Sequence, residues 1–143
     1  MYLLDTNVVS ELRKANSGKA DTQVIRWASS VVTPQLYLSA ISVLELEIGI
    51  LRIERRDPTQ GAVLRAWLEG QVLIAFAERI LPVDLPVARR CAQLHIPDPA
   101  AEREALIAAT ALTHGLILVT RNIADFKATG AALLNPWTES PGS

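Results

Sequence analysis

The stretch that decides the fold is Glu104-Ala-Leu-Ile-Ala-Ala-Thr-Ala-Leu-Thr-His-Gly115-Leu-Ile-Leu-Val-Thr120-Arg-Asn-Ile-Ala-Asp125-Phe126. It has no Asp, Glu, Lys or Arg from Ala105 to Thr120, whereas an acid stands near each end. Its first half has the composition of a buried helix, Gly115 suits a left-handed C-cap, and 116–120 has the composition of a buried strand. A buried helix that leads into a buried strand is typical of an α/β domain.

Length and composition narrow the class of protein. The chain has 143 residues, of which 50% are hydrophobic and 20% charged, and its net charge is -1. These values predict one globular domain and exclude the strongly basic surface that binds nucleic acid by bulk electrostatics. The uncharged run is short for a membrane span, the first residues do not form a signal peptide, and Cys91 is the single cysteine. We therefore expect a cytoplasmic protein with no membrane segment.

Outward from the deciding stretch, short apolar runs alternate with helical patterns. Strands are predicted at 2–4, 36–39, 80–83 and 116–120 with an edge strand at 132–135, and helices at 8–14, 22–32, 42–55, 62–79, 87–95 and 102–114. Strands that alternate with helices indicate a parallel sheet covered on both faces. The predicted fold is α/β, a single three-layer α/β/α domain at 1–137 with a central, mainly parallel sheet of four to five strands, followed by a tail at 138–143.

Acidic residues fall near the carboxyl ends of these strands, where α/β sheets bind ligands. Asp5 follows the first strand, Glu45 lies in the helix after the second, and Asp125 follows the fourth. Glu104 opens the helix that leads into the fourth strand. Clustered carboxylates repel one another unless a proton or cation intervenes, and oxygen ligands favour Mg²⁺ or Mn²⁺. Such an ion activates water and binds phosphoryl oxygens, which is the chemistry of phosphodiester hydrolysis.

Five segments carry a resemblance to a known family. They are Leu3-Leu-Asp5-Thr-Asn7, Ile41-Ser-Val-Leu-Glu45-Leu-Glu-Ile-Gly49, Ala105-Leu-Ile-Ala-Ala-Thr-Ala111, Val119-Thr-Arg-Asn-Ile-Ala-Asp-Phe126 and Asn135-Pro-Trp137. In this order, and over nearly the whole chain, they resemble the PIN-domain ribonucleases of the VapC type, the toxins of VapBC toxin–antitoxin systems. The resemblance implies a metal-dependent endoribonuclease that hydrolyses RNA phosphodiester bonds.

The resemblance also implies site residues and partners. Its catalytic acids correspond to Asp5, Glu45, Glu104 and Asp125. Mg²⁺ or Mn²⁺ would be held chiefly by Asp5 and Glu104, with Thr120 and Asn122 as polar neighbours. The implied partners are a cognate small antitoxin that covers the site, an RNA substrate and a second copy of the chain in a homodimer.

One position departs from the family pattern, because Glu104 stands where the family usually has Asp. The extra methylene moves the carboxylate by roughly 1.5 Å, and a misplacement of ~1 Å can cost about 100-fold in rate. Glu104 would bind the ion directly, bind it through water or leave the enzyme slow, and Glu102 or Asp98 would be substitutes. The second function hypothesis is therefore a non-catalytic PIN-fold binding module weakened by Glu104.

Each acid also has a purely structural explanation. Asp5 and Asp125 suit helix caps, the spacing of Ser42 and Glu45 matches a capping box, and Glu104 suits the positive end of a helix dipole. Local sequence alone leaves Glu45 open between the capping box and the site. The coincidence of four acids near one edge of the sheet favours the site.

Two further expectations concern other parts of the chain. Asp84, after the third strand, would be the acceptor of a receiver-type phosphoacceptor domain, but the lysine beyond the last strand and the second acid beside Asp5 that such a domain needs are missing. Helices 43–55 and 62–79 carry more apolar surface than a thin sheet covers. A groove between them would receive an amphipathic antitoxin helix.

Overall fold

Five short parallel strands form the centre of the molecule. In the computed structural model, which describes residues 1–138, they are β1 (Tyr2–Leu4), β2 (Leu36–Ser39), β3 (Ile80–Leu81), β4 (Ile117–Val119) and β5 (Leu133–Leu134). They pair in the order β3-β2-β1-β4-β5, and every neighbouring pair is parallel. The α/β prediction with a parallel sheet is confirmed. Of the predicted tail, 139–143 lie outside the described residues.

Helices connect the strands and cover both faces of the sheet. They are α1 (Thr6–Arg13), α2 (Thr22–Ser30), α3 (Ala40–Arg56), α4 (Pro58–Trp67), α5 (Leu73–Ala75), α6 (Leu85–Leu94), α7 (Glu102–His114) and α8 (Ile123–Phe126), with a π-helical turn at Leu68–Val72 between α4 and α5. Short 3-10 turns occur at Lys14–Ser17, Thr33–Gln35 and Lys127–Thr129. No helix within residues 1–138 has the length and apolar character needed to cross a membrane.

The strands are apolar on both sides because helices bury each face. Leu4 and Val119 pack on one face with residues of α1, α3 and α4. Leu3 and Leu118 pack on the other face with residues of α7 and α8. The uncharged middle of the deciding stretch is therefore core in both its helix and its strand. Gly115 has the predicted left-handed conformation at the end of α7, with φ of 65°.

Helix α3 begins earlier than predicted. Ser39, the last residue of β2, caps the helix, and its Oγ accepts a hydrogen bond from the N–H of Ile41 at 3.0 Å. Ser42 is therefore a buried residue inside α3, and its hydroxyl has no hydrogen-bond partner among residues 1–138. The predicted capping box of Ser42 and Glu45 is wrong, because β2 runs directly into the helix without an intervening turn. Glu45 is left free for another role.

Helix α4 also begins earlier than predicted. Asp57 caps it, and Pro58 occupies the first helical position, where its missing N–H breaks no hydrogen bond. Gly61 has the sequence character of a turn but lies within the helix. A Cβ at Gly61 would come within 2.6 Å of Cγ of Glu54, so α3 and α4 approach each other closely only because this residue is glycine. The helical run ends at Ala75, before the predicted end.

The close packing of α3 and α4 contradicts the predicted groove between them. Leu64 lies in the core with 7% exposure. Arg65 bridges the two helices, with its nitrogens 2.8 Å from Glu47 and 3.2 Å from Glu54. An apolar cavity of about 190 Å³ lies instead between α1 and the segment 67–76. Leu44 and Leu51 of the predicted surface are exposed, at 44% and 53%, so docking of an apolar helix on the outer side of α3 stays a prediction.

Candidate active site

The sheet order creates a crevice at the carboxyl ends of β1 and β4. The chain runs from β1 to β2 on one side, whereas β4 lies on the other side of β1. The strand order therefore reverses between β1 and β4, and open α/β sheets bind ligands at such a point. Asp5 directly follows β1 and Thr120 directly follows β4. Both are buried, with exposures of 7% and 0%.

Asp5 is fixed in this crevice by several donors. Its N–H donates to the carbonyl of Val119 at 2.9 Å, which joins it to β4. Its Oδ1 accepts from the N–H of Thr6 at 2.8 Å, and its Oδ2 accepts from the hydroxyl of Thr120 at 2.8 Å. The Nδ2 of Asn7 adds a longer contact of 3.4 Å to Oδ2. Asp5 is therefore a helix cap through one oxygen and a crevice residue through the other.

Glu45 reaches the same crevice from α3. The hydroxyl of Thr6 donates to its Oε1 at 2.6 Å, so the residue after Asp5 joins α1 to α3. A guanidinium nitrogen of Arg103 lies 3.9 Å from its other carboxylate oxygen. The charge of Glu45 contributes to raising the pKa of Asp5, which reflects how closely the two carboxyl groups approach.

Glu104 and Asp125 approach from α7 and α8. Glu104 lies in the first turn of α7, whose cap residue Ala101 has no side-chain oxygen to offer. Asp125 lies inside α8, and its N–H donates to the carbonyl of Asn122 at 3.1 Å. The structural explanation of Asp125 as a helix cap is wrong, because Asn122 occupies the cap position. Asp125 is exposed, whereas Glu104 is half-buried.

All four acids line one cavity of about 710 Å³. Its remaining walls come from Thr6, Asn7, Ser10, Ala101, Glu102, Arg103, Ile107 and Asn122. Arg103 is the single basic residue among these lining residues, against five carboxylates. Asp98 does not line the cavity, whereas Glu102 does so with a side chain that is 70% exposed. Of the candidates near α7, the geometry therefore favours Glu104.

Burial and mutual repulsion raise the pKa of two of these carboxyl groups. For Asp5, desolvation is the largest cause of the raised pKa, the hydrogen bond from Thr120 opposes it, and the charges of Glu45 and Asp125 add to it. For Glu104, desolvation again comes first and Asp125 second in raising the pKa. A bound cation lowers the free energy of such a cluster. The donors are carboxylate, hydroxyl and amide oxygens, so the residues fit Mg²⁺ or Mn²⁺.

Two features of the cavity were not predicted from the sequence. One is the hydrogen bond from Thr6 to Glu45, which are 39 residues apart. The other is the cation Arg103, which stands beside Glu104 in the sequence. Each residue is adjacent to a predicted acid, and this adjacency is the only signal the sequence offers. Its partners across the cavity are determined by the packing of α1, α3 and α7.

Two other sequence expectations can be placed on the structure. Asn122 lines the cavity, and its N–H donates to the hydroxyl of Thr120 at 3.0 Å. Asp84 caps α6, with its Oδ1 accepting from the N–H of Val87 at 3.3 Å. Because Asp84 also does not line the acidic cavity, it has the role of a structural cap and not that of a phosphoacceptor.

Comparison with known proteins gives a consistent result. The PIN domain family matches residues 2–131. VapC ribonuclease Y4jK of Sinorhizobium fredii is 39% identical over 142 residues, which cover 96% of this chain and 98% of that protein. Toxin FitB of Neisseria gonorrhoeae is 39% identical over 143 residues, which cover 96% and 99%. The crystal structure of FitAcB from Neisseria gonorrhoeae has a TM-score of 0.85 at 38% identity, covering 96% of this chain and 99% of that one.

These similarities extend over nearly the whole chain. The family match runs from β1 through α8 and includes all four acids of the cavity. The two relatives are similar over almost their full lengths, so the likeness is not limited to one motif. The chain therefore belongs to the PIN domain family.

Proposed function

We propose that the protein is an endoribonuclease that uses a divalent metal ion to hydrolyse RNA phosphodiester bonds, and that it is the toxin of a toxin–antitoxin pair. The observation that carries the proposal is the convergence of four acids from four separate segments on one cavity. The relatives named VapC ribonuclease and Toxin FitB support the RNA substrate and the toxin role.

The metal ligands in this proposal are Asp5 and Glu104, with Mg²⁺ or Mn²⁺ as the ion. When bound, the ion polarises a phosphoryl oxygen and lowers the pKa of water. Thr120 keeps Asp5 in one orientation through the 2.8 Å hydrogen bond to Oδ2. Glu104 has no comparable hydrogen bond from a hydroxyl or an N–H of residues 1–138, so its carboxylate is free to adjust.

Glu45 and Asp125 are the groups proposed to orient the attacking water and accept its proton. A general base must lie within hydrogen-bond reach of the proton it removes. The hydroxyl of Thr6 orients Glu45, whereas Asp125 lines the cavity and is exposed to water. Arg103 places a positive charge beside these acids, where it favours the approach of an RNA phosphate.

A non-catalytic PIN-fold binding module weakened by Glu104 is the alternative. This alternative requires that the longer side chain of Glu104 place its carboxylate away from the other three acids of the cavity. Glu104 and Asp125 line the same cavity, and the charge of Asp125 contributes to raising the pKa of Glu104, so the longer side chain stays within the cluster. This arrangement favours the enzyme over the binding module.

The experiment that tests the enzyme uses structured RNA and controlled metal. Purified protein is freed of metal with EDTA, and cleavage is followed after Mg²⁺, Mn²⁺ or no ion is added. We expect cleavage only with an ion, and none from a double variant Asp5→Asn, Asp125→Asn prepared in the same way. Equal cleavage in EDTA, or cleavage by the double variant, would contradict the proposal and indicate a contaminating nuclease.

We further propose that a cognate small antitoxin covers the protein. The apolar cavity between α1 and segment 67–76 has Leu12, Trp67 and Phe76 in its walls and suits an apolar side chain of an antitoxin helix. The homodimer and the cytoplasmic location remain predictions of the same proposal. RNA substrates are available in that compartment.

The partner is tested with the product of a small reading frame adjacent to the gene. Ala75 is exposed and lines the apolar cavity, so Ala75→Glu should weaken binding at least tenfold in calorimetry without disturbing the core. Val63→Glu is the matched control, because Val63 is 58% exposed and does not line this cavity. Equal affinity of both variants would exclude this cavity as the docking surface.

A further inference from the structure

A second group of metal-ligating side chains lies where α6 meets α7. Cys91 and His95 are one helical turn apart at the end of α6, and Glu102 opens α7. Sγ of Cys91 lies 3.8 Å from Nε2 of His95, and this nitrogen lies 3.3 Å from Oε2 of Glu102. One ligand atom from each residue lies within 4.8 Å of the others. The turn between the helices thus brings a thiol, an imidazole and a carboxylate together.

This group differs from the acidic cavity in position and in chemistry. Cys91 and His95 do not line the acidic cavity, and Glu102 alone touches both regions. Cys91 is 4% exposed, whereas the side chains of His95 and Glu102 are 24% and 70% exposed. The sulfur therefore lies at the inner end of the group, and solvent reaches the group from the side of Glu102.

Two of the three separations between the ligand atoms suit a tetrahedral ion. With Zn–S of about 2.3 Å, Zn–N of about 2.05 Å and Zn–O of about 2.1 Å, tetrahedral angles put sulfur and nitrogen roughly 3.6 Å apart and nitrogen and oxygen roughly 3.4 Å apart. The observed separations are 3.8 Å and 3.3 Å. The separations within these two pairs need to change by only a few tenths of an ångström. The third pair, sulfur and the Glu102 oxygen, lies within 4.8 Å, against roughly 3.6 Å in a tetrahedral site, and the exposed Glu102 side chain can close that difference.

We propose that Cys91, His95 and Glu102 form a binding site for a borderline transition-metal ion, with Zn²⁺ as the preferred ion and water in the fourth position. Thiolate and imidazole select Zn²⁺ over Mg²⁺, so the site would not compete for the ion of the acidic cavity. The inference stands on these three residues and does not depend on the ribonuclease proposal.

Two protons must move when the ion binds. The Cys91 thiol releases its proton to the solvent, because only the thiolate is a ligand. Nδ1 of His95 accepts the N–H of Ala100 at 3.0 Å, so the neutral ring carries its proton on Nε2. Coordination through Nε2 transfers that proton to Nδ1, and the N–H of Ala100 then turns to water. Ala100 is exposed in the turn between the helices, which makes this rearrangement local.

An ion in this site would join the end of α6 to the first turn of α7. Glu104 lies in that same turn, two residues after Glu102. The cap residue Ala101 gives this end of α7 no side-chain hydrogen bond, so coordination would strengthen a connection that otherwise rests on the 3.3 Å contact between His95 and Glu102. Binding to the folded state alone raises the melting temperature by mass action.

The test uses Co²⁺ as a spectroscopic substitute for Zn²⁺ on the full-length protein. Cys91 is the only cysteine in the chain, so a sulfur-to-cobalt charge-transfer band can arise from no other residue. The charge-transfer band should saturate at one sulfur-bound Co²⁺ per chain, whatever Co²⁺ the acidic cavity also takes up, and it should be displaced by Zn²⁺ but not by Mg²⁺. In saturating Mg²⁺, the melting temperature should rise with Zn²⁺ in the unmodified protein but not in His95→Gln.

Variants separate this site from its alternatives. Cys91→Ser should abolish the band, and His95→Gln should lower the Co²⁺ affinity about 100-fold. His114→Gln, which changes the other histidine, and Asp5→Asn, in the acidic cavity, should leave the band unchanged. Circular dichroism verifies that each variant folds, and His95→Gln carries the test if Cys91→Ser does not fold.

Three outcomes would overturn the proposal. One is the absence of a charge-transfer band in the unmodified protein. Another is a Co²⁺ affinity, measured from the band, that is the same in His95→Gln and Glu102→Gln as in the unmodified protein. That result would mean that Cys91 binds the ion without the other two residues. The third is loss of the band in Asp5→Asn, which would mean that the ion belongs to the acidic cavity.

Discussion

The two sides of the acidic cavity are built differently. On the strand side, Asp5 is 7% exposed and its carboxylate accepts hydrogen bonds from Thr6 and Thr120. On the helix side, Glu104 is half-buried at the start of α7, a helix without a side-chain cap, and no N–H or hydroxyl of residues 1–138 donates to its carboxylate. One carboxylate is fixed and the other is adjustable.

This difference explains where the chain departs from the family pattern. An added methylene at Asp5 would break hydrogen bonds to two neighbours, because each oxygen already has a partner. The same addition on the helix side breaks no hydrogen bond to a fixed donor. We therefore expect residue 104 to accept a glutamate in place of aspartate better than residue 5 would. The following predictions test this contrast between the fixed and the adjustable side.

The largest effect is expected on the fixed side. Asp5→Asn removes the charge of the proposed metal ligand while keeping its size, and we expect RNA cleavage to fall on the order of 1,000-fold. Asp84→Asn is the matched control, because Asp84 also follows a strand and caps a helix but does not line the cavity. Similar losses in both variants would mean that the defect is one of helix capping.

Next in size is the removal of the group that fixes Asp5. Thr120→Val deletes the donor to Oδ2, and we expect cleavage to fall about 10- to 100-fold. The hydrogen bond from Thr120 lowers the pKa of Asp5, so its loss should raise that pKa further and shift the acidic limb of the pH–rate profile to higher pH. Thr113→Val serves as the control. An unshifted profile would contradict a positioning role for Thr120.

A smaller effect is expected on the adjustable side. Glu104→Asp shortens the side chain in a cavity whose α7 wall fits glutamate. We expect the rate of RNA cleavage to fall about tenfold, which is less than the loss expected when a fixed ligand is misplaced. Cleavage kinetics at saturating Mg²⁺ measure it. A gain in activity would instead mean that Glu104 disables the enzyme, and would favour the binding-module alternative.

The smallest effect concerns stability without metal. Asp5 and Glu104 hold their protons more tightly in the folded chain than in the unfolded chain, because burial raises the pKa of each. The folded state therefore binds more protons between the ordinary and the raised pKa. The free energy of unfolding should fall as pH rises through that window and stay lower above it.

Thermal melts from acid to neutral pH, in EDTA and in Mg²⁺, measure this effect. We expect a decrease of a few degrees across the window in EDTA, and recovery in Mg²⁺ because the ion offsets the repulsion. Asp5→Asn should lose most of the pH dependence. A melting temperature that rises through the same window in EDTA would contradict the raised pKa values.

The sequence predicted most of the fold because its signals were local. The apolar runs at 2–4, 36–39 and 116–120 have the composition of strands buried on both faces, and all three are strands. Gly115 ends α7 in the left-handed conformation that its position predicted. The predicted start of α4 was wrong because two local signals competed there, since Asp57-Pro58 suits a turn and also the N-terminus of a helix. Asp57-Pro58 and Gly61 have the composition of a turn, whereas Gly61 is the residue that lets α4 lie against Glu54.

At the candidate site, too, local sequence does not decide between competing roles of a residue. By sequence alone, each acid also suits a local structural role, and for Glu45 the capping box explains the spacing from Ser42 without any metal. The capping box fails because Ser39, not Ser42, caps α3. The sequence of α3 does not indicate where β2 ends. The boundary between β2 and α3 is determined by how far β2 pairs with its neighbours in the sheet.

By itself the sequence determined the type of fold and the chemical type of the site. Alternation of apolar runs with helices specifies a parallel α/β sheet, and acids near strand ends specify oxygen ligands at its carboxyl edge. Only the tertiary structure decided which donors hold each acid, since Thr120 and Asp5 are 115 residues apart. It also brought Cys91 and Glu102 together, because that contact depends on the angle between α6 and α7 and not on any periodicity of the chain.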